Sequence, residues 1–216
     1  MESASRIDSE FFVTILYNPK TPTLFRRGDD FKVTNQLTDQ RFTQVKDWLV
    51  THKMDGMSVI MSINPNDWGI HGRTANTKFN EAQESFMLDQ ISQAIRNLRT
   101  YPLYDDKQVH VYAELLGPGI NGNKHNLDKF QLKVFDIRID DYWLDWDNMR
   151  SVCYDAGITP VERIGLRRFS IDDIVALVKE RIDSPEYFEG VVARSDPYLY
   201  NNRGNRLAFK LKVTDF

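Results

Sequence analysis

A single cysteine, Cys153, stands among the 216 residues, which excludes an internal disulfide framework and a cysteine-rich zinc site. That usage suits a reducing compartment, and a cytoplasmic location is expected. Long apolar runs are absent too, so no helix is expected to span a membrane. The opening MESASRIDSE has neither the positive start nor the apolar stretch of a secretory signal. A basic excess is missing, the formal net charge being -3. Any contact with a polynucleotide must then be local, a basic cleft on an acidic body. No GxxxxGK[ST] loop occurs, so the phosphates of any nucleotide must be held mainly by side chains. His52, His71, His110 and His125 are not spaced as metal ligands.

What is present is enough apolar material, 41% of the residues, to bury one sizeable core. FFVTILY is a short apolar run near the start, followed by extended chain and turns through TPTLFRR. Helical spacing of Phe42, Val45 and Leu49 predicts a helix over Asp39 to Val50, capped by Thr38. A second amphipathic helix fits Glu81 to Arg99, with Leu88, Ile91, Ile95 and Leu98 on its apolar stripe. Strands are expected over Val109 to Leu115, Leu132 to Ile139 and Arg206 to Val213. In the last, Leu207, Phe209, Leu211 and Val213 alternate with Ala208, Lys210 and Lys212. Further helices are expected over Tyr142 to Ala156, ended by Gly157, and over Ile171 to Ile182, with Ser170 and Asp173 as a capping box. This mixture lacks a regular βαβ rhythm and indicates an α+β domain of antiparallel sheets flanked by helices.

Chemistry-bearing residues occur in an ordered series. KMDG at Lys53 to Gly56 precedes the apolar run Met57 to Ile63, and is followed by HGRTAN from His71, YAELLGPG from Tyr112, KVFDI from Lys133, FEGVVAR from Phe188 and RLAFKLK from Arg206. The series resembles the motifs of ATP-dependent RNA ligases, within the covalent nucleotidyltransferase superfamily. ELLGPGINGNKHNL, from Glu114 to Leu127, and TPTLFRR, from Thr21, look like the bacterial and phage RNA-repair branch. The resemblance runs from about Thr21 onward. It implies a nucleotidyltransferase (ligase adenylation, ATP-grasp-like) fold, ATP as AMP donor, Mg²⁺ or Mn²⁺, and RNA as partner, whether as ends, a nicked duplex or an RNA/DNA hybrid.

The same resemblance implies residue roles. Lys53 is the nucleophile that accepts AMP, and Asp55 orients it or handles a later proton. An unperturbed lysine, pKa ~10.4, is protonated at neutral pH. Lys210 and Lys212 on one strand face are expected to set positive charge beside Lys53 and the α-phosphate, which with desolvation favours a neutral amine and offsets phosphate charge. Glu189, and with it Glu114, is expected to hold the metal through hard oxygen donors. Glu114 also lies near the ribose, Phe135 stacks on adenine, and Arg73 offers a planar fork to ribose oxygens. His52 and Ser58 are counted among the nucleotide contacts, although similar ligases carry glutamate before the nucleophile and Thr-Asn after the glycine. Only four residues follow Lys212, so one adenylation domain over 1–216 is expected, without a separate OB or C-terminal domain. Three arrangements then stay open: a minimal ligase, an auxiliary partner that grips the nucleic acid, or an excised catalytic domain. A DNA ligase, a capping guanylyltransferase and a non-catalytic nucleotide- or RNA-binding module stay open as alternatives.

Overall fold

The computed structural model describes residues 20–29, 32–74, 76–166 and 168–216. From the amino end come strands β1 (Phe25–Arg27), β2 (Val33–Leu37) and β3 (Trp48–His52). Next are β4 (Met57–Ile63), β5 (Trp68–Gly72), helix α1 (Glu81–Leu98), β6 (Val109–Leu116), β7 (Gln131–Ile139), β8 (Tyr142–Trp143) and α2 (Trp146–Ala156). Last come α3 (Ile171–Glu180), β9 (Gly190–Ser195) and β10 (Ala208–Lys212). All strand pairs within these sheets are antiparallel, which makes the architecture α+β, antiparallel sheets with helices, as expected. Two compact units form: Asp55–Pro160, and Val161–Phe216 with the described residues up to Met54. The division falls inside KMDG.

In the Asp55–Pro160 unit the sheet order is β5-β4-β6-β7-β8. Strand alternation sorts its residues onto two faces. Val59 and Met61 of β4, Val111, Ala113 and Leu115 of β6, and Leu132, Val134 and Ile137 of β7 form a buried apolar face. The opposite face carries three cross-strand rows: Ser58, Glu114 and Lys133; Ile60, Tyr112 and Asp136; Ser62, His110 and Arg138. Between the first two rows the register shifts, since Ala113 faces Val134 while Tyr112 faces Asp136. Phe135 is therefore the extra residue of a β-bulge, a device that re-aims a side chain, and it packs beside Ile60 and Tyr112 with Trp143. α1 starts on a capping box in which Asn80 Oδ1 accepts from Gln83 N–H, 2.9 Å, and Gln83 Oε1 accepts from Asn80 N–H, 3.0 Å.

The other unit holds the sheet β10-β9-β3 and the hairpin β1-β2. Its core is built on three aromatic rings: Trp48 lies 4.7 Å from Phe209 and 5.7 Å from Phe42, in edge-on geometry that suits ring quadrupoles. Leu24, Val191, Ala193 and Leu211, with Ile174 and Val178 of α3, complete it. The segment after Val161 runs along the second edge of β3, with Thr51 facing Arg163 and Trp48 facing Phe169. On β10 the expected alternation holds: Phe209 and Leu211 are buried, whereas Ala208, Lys210 and Lys212 are half-buried.

Five local expectations need correction or placing. Asp39 to Val50 is not a helix: a short 3-10 turn covers Gln40–Gln44, capped by Asp39, and β3 begins at Trp48. Trp48, Leu49 and Val50 are all buried, so β3 lacks the alternation that marks a half-exposed strand and its apolar spacing imitated a helix. Thr38, expected as the cap, instead donates its hydroxyl to Leu24 O at 3.2 Å. In α1 the buried line is Gln83, Met87, Ile91, Ala94 and Leu98, while Leu88 is exposed. Tyr142 and Trp143 pair with β7, so α2 starts only at Trp146, behind the cap Asp145. The capping box of α3 and the left-handed Gly157 that ends α2 are as expected, and FFVTILY lies outside the described residues.

Candidate active site

Lys53 sits one residue beyond β3, on a backbone held from both sides. His52 N–H donates to Glu162 O at 3.0 Å, and Lys53 N–H donates to Gly190 O at 2.9 Å. Gly190 adopts φ +148°, and a Cβ there would stand 2.2 Å from Leu211 O and 2.7 Å from Lys212 Cα. Only glycine allows that approach, and it brings Glu189 to both lysines. Glu189 Oε2 lies 2.6 Å from Lys53 Nζ, and Oε1 lies 2.5 Å from Lys212 Nζ. Lys210 shares the strand face of Lys212, two residues back. Lys212 is fixed in turn: its N–H donates to Asp215 Oδ2 at 2.8 Å, and the fully buried Asp215 pairs with Arg27.

Lys210 and Lys212 were expected to set positive charge beside Lys53, and the carboxylate of Glu189 stands between Lys53 and Lys212. Glu189 is only 8% exposed, and a buried carboxylate must meet cations; sharing it relieves the repulsion between Lys53 and Lys212. Lys53, Lys210 and Lys212 together place amines on this unit of the kind that can meet a polyphosphate. His52, the residue before Lys53, has its N–H committed as above, and its ring meets Phe188 edge-on at 5.6 Å.

The second group of expected residues lies on the Asp55–Pro160 unit. Gly56 is packed against the end of β6: a Cβ would stand 2.3 Å from Leu115 O and 2.8 Å from Glu114 Cγ. Glu114 Oε1 accepts from Gly56 N–H at 3.2 Å, which ties KMDG to the carboxylate of YAELLGPG. Ser58 is directly opposite Glu114, and Phe135 is on the same sheet face through its bulge. Arg73 follows β5 and is exposed. Asp55 is held by residues to which no role was given from the sequence: Asn121 Nδ2 donates to Oδ1 at 3.0 Å, Lys124 Nζ to Oδ2 at 2.7 Å, and Asp55 N–H donates to His125 Nε2 at 3.3 Å. The signal for them was the Asn- and Gly-rich stretch itself.

Burial disfavours the charged form of two histidines on the polar sheet face. Burial pushes His110 down to about 4, with Arg138 adding to the effect, and burial lowers His71 as well. For a metal, no cluster of three or more His, Cys, Asp or Glu converges among the described residues. A protein-only cage is thus not built there. Glu189 supplies anionic oxygens of the kind a hard divalent ion takes, with waters and substrate phosphates as its other ligands, once they leave Lys53 and Lys212.

The arrangement is thus an α+β fold of antiparallel sheets and helices, with Lys53 and Glu189 in contact just beyond the end of β3. A family model described as RNA ligase matches residues 46–212, and the chain belongs to the RNA ligase family. Among solved structures, a mutant RNA ligase from Naegleria gruberi with AMP and Mn matches at TM-score 0.62 and 17% identity, over 89% of this chain and 57% of that one. Another mutant of that ligase, with ATP and Mn, matches at TM-score 0.63 and 17% identity, over 89% and 57%. The Naegleria gruberi RNA ligase with PPi matches at TM-score 0.60 and 18% identity, over 91% and 62%. These likenesses establish the fold, and the chain spans less than two thirds of the length of those ligases. No curated protein matches the sequence. Among the described residues no helix is long and apolar enough to cross a membrane.

Proposed function

We propose that the protein is an ATP-dependent RNA ligase working through a lysyl-AMP intermediate on Lys53, with residues 1–216 serving as its adenylation domain. The observation that carries this reading is Glu189 held between Lys53 and Lys212, at 2.6 and 2.5 Å, in a chain of the RNA ligase family. An ammonium cannot attack phosphorus, so Lys53 must pass a proton to Glu189, 2.6 Å away, or to water, and leave the carboxylate before bonding. Lys53 Nζ then bonds to the α-phosphorus of ATP, the bond to the pyrophosphate oxygen breaks, and pyrophosphate leaves. Lys210 and Lys212 offset the charge gathering on the phosphate oxygens. In the second step an RNA 5′-phosphate oxygen takes AMP from Lys53, and in the third a 3′-hydroxyl attacks that 5′-phosphorus and expels AMP.

Mg²⁺ or Mn²⁺, when bound, supplies neutralisation of phosphate charge; Glu189 would hold it, and Glu114 is read as a second metal- and ribose-side carboxylate. The bulged Phe135 offers its ring to adenine, while Ser58, Arg73 and His52 are read as further nucleotide contacts. Asp55 orients the nucleophile or serves a later proton transfer. The single cysteine suits a cytoplasmic setting. RNA ends, nicked duplexes and hybrids are the substrates to try, each with and without an added nucleic-acid-binding partner.

The test is incubation of the protein with α-labelled ATP and Mg²⁺, then with 5′-phosphorylated RNA. Label should appear on the wild type, vanish in Lys53→Ala, and pass to RNA before joined product forms. Label that survives Lys53→Ala, or no label at all, refutes the reading; preference for GTP or for nicked DNA redirects it to a capping enzyme or a DNA ligase.

A further inference from the structure

The stretch from Gly117 to Leu127 stands apart in backbone conformation. Gly117, Gly119, Asn121, Gly122, Asn123 and Asn126 all have positive φ, from 45° to 134°. Three of the four non-glycine residues of positive φ among the described residues fall in this one loop. For an L-residue the left-handed region costs roughly 1–2 kcal/mol, least for asparagine, and such strain persists only where surroundings over-determine it. The loop is in fact braced internally. Asn123 Nδ2 donates to Leu127 O at 2.9 Å while its Oδ1 accepts from Leu127 N–H at 3.1 Å, and Ile120 is buried.

What the contorted loop presents is a set of groups aimed at Asp55 and Gly56. Both carboxylate oxygens of Asp55 are engaged, Oδ1 by Asn121 and Oδ2 by Lys124. The same Asn121 amide also donates to Gly56 O at 2.8 Å. The Asp55 side chain is 15% exposed, whereas Lys124 is 53% exposed, so the loop supplies the counter-charge that a largely buried carboxylate needs. Gly56 N–H is held separately by Glu114. The two residues after the nucleophile and Met54 are thereby fixed at side chain and backbone from one loop.

We propose that the Gly117–Leu127 loop is a preformed clamp for Asp55 and Gly56, in which Asn121 and Lys124 are positioning residues that act on catalysis through Asp55. The clamp deepens the lysyl-AMP reading above and rests on it for its catalytic consequence. A disordered or flexible loop could form the same bonds, but only by ordering itself in each turnover; the left-handed asparagines and glycines set the geometry beforehand.

The experiment compares full-length wild type with Lys124→Met, Asn121→Ala and the conservative Lys124→Arg. Amide hydrogen exchange at Asp55 and Gly56 reads the clamp without any activity. Loss of either clamp residue should speed exchange at these two amides about tenfold, and Lys124→Arg should restore most of the protection. Single-turnover rates of protein labelling by ATP or of AMP transfer to RNA should fall about tenfold with less than a twofold change in the apparent KM for ATP. Unchanged exchange at both amides overturns the clamp. So does a change in KM that equals the loss of rate, or a loss of rate in Lys124→Met with intact protection that disappears at low salt, since Lys124 would then grip a phosphate directly. If the wild type takes no label while exchange responds as expected, the clamp stands and the ligase reading falls.

Discussion

Gly190→Ala is the sharpest single perturbation of the surroundings of Lys53. A methyl there would meet Leu211 O at 2.2 Å, Lys212 Cα at 2.7 Å and Leu211 C at 3.0 Å, all backbone atoms of a paired strand that cannot swing aside. Its φ of +148° adds strain for any L-residue. Left-handed strain of about 1–2 kcal/mol and overpacking of about 1–3 kcal/mol give an expected loss of ~2–5 kcal/mol in unfolding free energy. Gly204→Ala separates the two contributions, because Gly204 also has positive φ, +73°, but nothing within 4 Å of a new Cβ; it should cost only about 1 kcal/mol. Urea unfolding followed by circular dichroism and by tryptophan fluorescence measures both, the two probes having to coincide before one free energy is extracted. Under conditions where both variants remain folded, labelling by ATP should drop at least ~10-fold further in Gly190→Ala, because Gly190 O holds Lys53 N–H. Equal destabilisation and equal labelling in the two variants would refute the reasoning that the close approach at Gly190 sets the Lys53–Glu189–Lys212 geometry.

Glu189→Gln keeps the side chain's shape but removes the anion shared by Lys53 and Lys212. RNA joining should fall by about 10²-fold or more, and unfolding free energy by about 1–3 kcal/mol, below the ~3–5 kcal/mol of a fully buried pair, since the lysine side chains stay 20% and 31% exposed; steady-state joining and urea unfolding check both. His110 should make stability depend on pH between about 6.5 and about 4: its folded value is depressed to about 4, so the unfolded chain binds the extra proton and stability is complete above the unfolded value and lost as pH falls. Up to ~3 kcal/mol is at stake for a ring only 3% exposed. Urea midpoints across that window should fall with acid in the wild type and less steeply in His110→Asn; parallel slopes would remove His110 as the cause.

Much of the site was legible because it is written in residues whose chemistry leaves few other uses in that order. Lys53, Glu189 and Lys212 were named from motifs, and the alternation of Phe209 and Leu211 with Lys210 and Lys212 placed the lysines on one strand face. Helix ends were equally readable where a local signal exists: Ser170 with Asp173 opens α3, and Gly157 closes α2. The failures have a common cause. Phe42, Val45 and Leu49 look helical by spacing, yet pairing with β9 on one edge and with the segment after Val161 on the other makes Trp48 to Val50 a strand buried on both faces. Tyr142 and Trp143 likewise go to the sheet edge.

The sequence by itself determined which groups are available: the lysines, the carboxylates, the aromatic Phe135 and the glycines that permit close approach. It determined local periodicity as well, because alternation and capping depend on neighbours a few residues away. Only the tertiary structure decided that Glu189 stands between Lys53 and Lys212, that a bulge turns Phe135 onto the face of Glu114, and that Asn121 and Lys124 hold Asp55. These contacts join residues separated by tens to more than a hundred positions, and nothing in local spacing encodes a distance between strands that meet only when the sheet closes.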